Sequence, residues 1–153
     1  MPDAPQSLAC NLLHTGYAEA MTQPTPLRQP CPPGACDCGR ERLAESPSPA
    51  QRILLLTRQE ERRLLERLEN LQDLADLYRL QQRLQDNLGI RLHIGPGDHE
   101  VRSGRGVQID IDAQPGLCRK TRREIPAAIR RGLERNPEVL YRLLDAHDLL
   151  GGA

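Results

Sequence analysis

Phenylalanine and tryptophan are absent, and the aromatic residues stop at Tyr17, Tyr78 and Tyr141. Recognition of single-stranded nucleic acid leans on aromatic faces stacked against bases, so that class is disfavoured. The core has to come from Leu, Ile, Val and Ala. Net charge is missing too: 21 basic residues balance 21 acidic ones. No whole-molecule field draws in nucleic acid or anionic lipid. Lysine is reduced to Lys120, and every other basic residue is arginine. That skew points to a GC-rich genome, hence a bacterium, and says little about function. No apolar run approaches the roughly 18 residues that a membrane span needs. Ser7-Leu8-Ala9-Cys10 faintly resembles a lipoprotein cleavage site, but no Lys or Arg precedes it and residues 1–9 hold no apolar core. The expected location is the cytoplasm, with no membrane partner.

What the chain does have is cysteine in one place. CPPGACDC carries Cys31, Cys36 and Cys38, and the total of five is odd. In a reducing compartment such a cluster signals metal or redox chemistry more often than a structural disulfide. Thiolates are soft ligands that select zinc, copper(I) or iron–sulfur clusters. Pro32, Pro33 and Gly34 provide the sharp turn that lets one loop aim several sulfurs at one centre. The spacing C-x4-C-x-C departs from the usual zinc pairs. It is locally similar to the cluster loop of plant-type [2Fe–2S] ferredoxins with one residue missing. That likeness covers CPPGACDC alone and implies no fold. A closed site needs a fourth ligand. Cys118 is the best candidate, and His93, His99 and His14 are alternatives. Two other readings stand beside a metal site: a reactive thiol segment, and a strained, easily reduced Cys36–Cys38 disulfide acting as a redox switch.

The order of elements follows from periodicity and punctuation. Residues 1–30 read as a flexible, disordered leader, and 31–49 as a cysteine-rich segment and linker that includes a helical turn near 40–45. A compact domain is expected over 50–153. Thr57 and Glu60 form a capping box. The stripes Leu64, Leu65, Leu68, Leu71 and Leu74, Leu77, Leu80, Leu84, Leu88 are out of phase, so a break near Asn70, a good N-cap, is expected, giving helices 58–69 and 71–88, the second stopped by Gly89. Ile53–Leu56 is too short for periodicity to assign. Period-2 alternation over 90–94 and 107–111 predicts an antiparallel strand pair. Thr121 and Glu124 form a second capping box, and Asn136-Pro137 starts a last helix. The fold class is therefore α+β, mainly helical: helix–helix, a two-stranded β unit, helix–helix. If CPPGACDC binds metal it docks onto this domain through Cys118, and the segment is expected to depend on the metal for its order.

Three further features compete with the cysteines. Arg119, Lys120, Arg123, Arg130, Arg131 and Arg135 make a basic helix face that can meet phosphates, although no base-reading fingerprint accompanies it. The connection 95–106 is glycine-rich but matches no phosphate-binding fingerprint. His93, Asp110 and Asp112 share the polar strand faces, for metal or acid–base work or for cross-strand pairs with Arg91. No hydrolase signature is present and no catalytic residue is assigned, which argues against an enzyme. The leading expectation is a cysteine-ligated iron–sulfur or zinc protein of regulatory or adaptor type, with Cys31, Cys36, Cys38 and Cys118 as ligands. The alternatives are a nucleic-acid-binding regulator using 119–135 and an adaptor binding a protein partner through its helices. A homodimer is compatible with the leucine-rich helices.

Overall fold

The computed structural model describes residues 26–45, 49–98 and 104–151. Helix α1 is a single turn, Glu41–Ala44. The unassigned apolar run falls mostly in a 3-10 turn, Pro49–Leu55. Thr57 then caps α2, Arg58–Glu69, its hydroxyl accepting from the Glu60 amide at 3.3 Å. Only this half of the capping box forms, because the Glu60 carboxylate accepts from Arg63 at 3.0 Å instead. The break between the leucine stripes is real, but Asn70 is not the new cap. It closes α2, its amide returning to the Arg67 carbonyl. Asp73 starts α3, Leu74–Leu88, accepting from the Asp76 amide at 2.6 Å. Gly89, at φ 70°, ends α3 as expected, and the Ile90 amide reaches back to the Leu84 carbonyl.

That closure takes Ile90 out of the sheet. Strand β1 is Leu92–Pro96, later than the alternating pattern suggests, while β2 is Val107–Ile111 as predicted. The strands pair antiparallel, from Leu92 opposite Ile111 to Pro96 opposite Val107. Helix α4, Arg119–Arg135, begins before the expected capping box, with Cys118 at its cap in extended backbone. Thr121 lies inside the helix, and its hydroxyl donates to Glu61 of α2 at 2.7 Å. Pro126 therefore falls beyond the first turn, and the Arg122 carbonyl loses its ordinary helical donor. Helix α5, Pro137–Gly151, starts on its proline. The Asn136 side chain does not cap it, donating to the Leu71 and Gln72 carbonyls at 3.4 and 3.1 Å.

The fold is thus α+β and mainly helical, in the predicted order. Helices α2 and α4 meet so closely that a Cβ on Gly132 would lie 2.4 Å from the Leu68 carbonyl oxygen. Leu68, Ile125, Ile129 and Leu133 are fully buried around that crossing, and α3, α4 and α5 pack on the strands over Leu92, Val107 and Ile109. Each such aliphatic side chain contributes roughly 1.5–3 kcal/mol by leaving water. Asp76 and Thr121 are the buried polar side chains among the described residues. Asp76 is the charged one. It accepts from the Arg67 guanidinium at 2.5 Å and the Gln72 amide at 3.1 Å, which ties the α2–α3 corner.

The cysteine segment also reaches the core, since Leu43 of α1 is buried with it. Protein contacts seat this segment, so its order does not rest on a metal as the sequence suggested. Even the expected leader is held at its end, where the Arg28 amide donates to the Leu54 carbonyl at 2.7 Å. Cys10, His14, His99 and the middle of the 95–106 connection lie outside the described residues. Among the described residues, no helix is long and apolar enough to cross a membrane.

Candidate metal centre

Two short turns build the site. In the first, the Ala35 amide donates to the Pro32 carbonyl at 3.0 Å, with Gly34 at φ 76°, and brings Cys31 and Cys36 to one side. Gly39, at φ 69°, then turns the chain into α1 just after Cys38. In the second turn, the Leu117 amide donates to the Gln114 carbonyl at 3.2 Å, and Gly116 sits at φ 84°. A Cβ on Gly116 would lie 2.6 Å from both Ile53 Cγ2 and Leu43 Cδ1, so only glycine fits there.

Gly116 joins the two turns. Its amide donates to the Cys38 carbonyl at 2.6 Å, and its carbonyl accepts from Arg28 at 2.5 Å. Arg40 completes the tie by donating to the Arg28 carbonyl. The result places Cys118, at the start of α4, against the CPPGACDC loop. The Sγ atoms of Cys31, Cys36, Cys38 and Cys118 all lie within 4.8 Å of one another. Cys31 and Cys118 are 3.6 Å apart, and all four are free, half-buried thiols. Among the described residues this is the one group of side chains arranged to hold a metal ion.

Four thiols this close cannot all ionise without a cation. Burial pushes the Cys118 thiol well up, hydrogen bonding to Cys31 adds to the rise, and the Arg28 charge only partly offsets it. Burial likewise raises Cys38, helped by repulsion from Cys36. Burial opposes the Cys36 thiolate as well, but hydrogen bonds from Cys118, Cys38 and Cys31 outweigh it, and its pKa falls. Of Cys36, Cys38 and Cys118, the surroundings favour the thiolate at Cys36. A soft cation would replace the thiol protons, because metal ligation and proton release are coupled. The set can hold a metal ion as four thiolates.

The other predicted residues separate. His93 is no part of the group; its Nε2 lies 3.0 Å from Asp112 Oδ1 on the exposed sheet face. Asp110 stands opposite His93 in register and accepts from Gln108. The carboxylate pairing on this face is therefore with His93, and not with Arg91. The basic face of α4 also divides. Arg131 and Arg135 both pair with Glu69, at 2.7 and 3.4 Å, and Lys120 lies 3.6 Å from Glu124. Arg119 faces Asp37 at 3.5 Å. Arg123 and Arg130 make no ion pair among the described residues.

Sequence reasoning missed Arg28 and Gly116. Gly116 had a signal, standing two residues before Cys118 in a Pro-Gly pair; Arg28 sits in a stretch that reads as leader and had none. No family model matches the chain, and neither does any of the curated proteins or solved structures compared with it.

Proposed function

We infer that this is a metal-binding protein in which Cys31, Cys36, Cys38 and Cys118 hold one tetrahedral ion, zinc before an iron–sulfur cluster. The observation that carries the reading is the mutual closeness of the four sulfurs, within 4.8 Å. Zinc–sulfur bonds of about 2.3 Å in a tetrahedron set the sulfurs about 3.8 Å apart, and the Cys31–Cys118 separation of 3.6 Å is near that value. A [2Fe–2S] or [4Fe–4S] cluster distributes its cysteines over different irons and spreads the sulfurs further. Four protein ligands leave no open coordination position, which is the pattern of structural rather than catalytic zinc. The ion would pin 31–44 to the start of α4. A regulatory or adaptor role in a bacterial cytoplasm, acting through a protein partner, suits such a closed centre better than catalysis.

The test is elemental analysis of protein purified without air, followed by cobalt(II) replacement. One equivalent of zinc and the visible bands of a cobalt tetrathiolate are expected, both lost in Cys36→Ser. A sulfide-containing brown protein would transfer the same four ligands to a cluster. Absence of any bound metal, even after reconstitution, would overturn the reading. Nucleic-acid binding is the weaker reading, because carboxylates of the same chain already engage Arg131 and Arg135.

A further inference from the structure

Beside the thiol cluster lies a pocket of about 300 Å³. Arg42 enters it from α1, and Arg119 and Arg122 enter from the first turn of α4. Asp37 is the one acidic side chain on the wall, and it lies 3.5 Å from Arg119, both side chains being largely exposed. Arg42 and Arg122 make no ion pair among the described residues. Three guanidinium groups against one carboxylate leave a local excess of two positive charges, in a chain whose formal net charge is zero. Like charges on one wall repel, and an anion between them offsets that cost. A volume near 300 Å³ is at the small end of ligand pockets, and it has room for a phosphate together with a small organic group. Guanidinium forks match the paired oxygens of a phosphate.

The geometry points to a binding site for a small phosphate dianion, inorganic phosphate or a small phosphomonoester, held by Arg42, Arg119 and Arg122. Asp37 occupies Arg119 in the absence of ligand and gives it up when the dianion enters. Cys38 lies on the same wall, so the site borders the proposed metal centre. Binding of the dianion does not require that the metal reading be correct. The pocket is formed by the same turns that Gly116 joins, and its arginines are not metal ligands.

The experiment is calorimetric titration of the full chain, metal-loaded and metal-free, with inorganic phosphate and then with glycerol phosphate. Saturable one-to-one binding in either form supports the site, and the preferred compound separates the two ligand sources. Arg42→Gln and Arg122→Gln should each weaken binding at least tenfold, while Arg130→Gln, on the same helix but outside the pocket, should leave it unchanged. Asp37→Asn should tighten binding severalfold, a gain that misfolding cannot produce. No binding in either form overturns the proposal, as does equal weakening by Arg130→Gln. Displacement of phosphate by a single-stranded oligonucleotide at far lower concentration would also overturn it, in favour of a nucleic-acid surface. Metal content is read separately, so a protein that binds phosphate but no metal fails the earlier reading and not this one.

Discussion

The helical body and the cysteine knuckle are built on opposite terms. In the body, α2 through α5 close around aliphatic side chains with essentially no exposure, such as Leu68, Leu77, Ile129 and Leu143. The knuckle, 26–45 with 113–118, offers Leu43 and Leu117 to the core and relies on a few hydrogen bonds at Gly116 and Arg28. Burial is distributed over many residues and survives the loss of one. A centre made of four sulfurs fails with any of them. On the proposed metal reading, stability is therefore shared in one region and concentrated in the other.

Removing the concentrated term has the largest expected effect. Cys118→Ser should abolish metal retention, forfeiting a binding free energy on the order of 10 kcal/mol, while helical circular dichroism persists. Limited proteolysis should then cut within 26–45 and spare the body. Unfolding of the whole chain on metal removal would erase the contrast. Because Cys118 and Cys38 have raised pKa values, binding must expel their protons, so metal affinity should climb with pH and the titration should release acid.

The body has its own weakest point of test. Leu68→Ala opens a cavity at the α2–α4 crossing and should cost about 4 kcal/mol in urea unfolding. Folded molecules of that variant should keep their metal. Gly116→Ala addresses the seam between the regions. A positive φ and two 2.6 Å contacts make it a loss of about 3 kcal/mol, concentrated in the knuckle and read as faster metal release to a chelator. Metal release unchanged from wild type would show that the knuckle stands without its seam.

Asp76→Asn has the smallest effect and sharpens the comparison by pH. Burial works against the Asp76 carboxylate, but the Arg67 hydrogen bond, the Gln72 amide and the nearby arginine charges outweigh it and lower its pKa from 3.8. A depressed folded pKa gives stability that is full above the ordinary carboxylate value and lost as pH falls through the folded one. The variant should lose about 2 kcal/mol at neutral pH and show a shallower decline below pH about 4. An acid limb as steep as that of wild type would remove Asp76 from the account.

Much of this was legible in the residues, and the failures share a cause. Phase mismatch between leucine stripes located the α2–α3 break, and alternation located β2 and placed β1 two residues early. The position of Cys118 before a helix was enough to nominate it as the fourth thiol. What local pattern could not supply was the partner across space. Thr121 has the form of a cap, but its hydroxyl serves Glu61, which lies 60 positions away. Asn70 and Asn136 likewise have the composition of caps and spend their polar groups elsewhere. Arg28 gained its role only when two distant turns were brought together at Gly116.

The order of the ligands along the chain carries one more consequence. Three thiols are made early and the fourth comes 80 positions after Cys38, behind α2, α3 and both strands. During synthesis the first three are made as an incomplete set, and the fourth thiol follows only after α2, α3 and both strands, immediately before α4. On the proposed metal reading, full four-thiolate occupancy would mark a chain translated past residue 118. A ribosome-stalled chain ending at 110 should exchange zinc far faster than one stalled beyond the terminus.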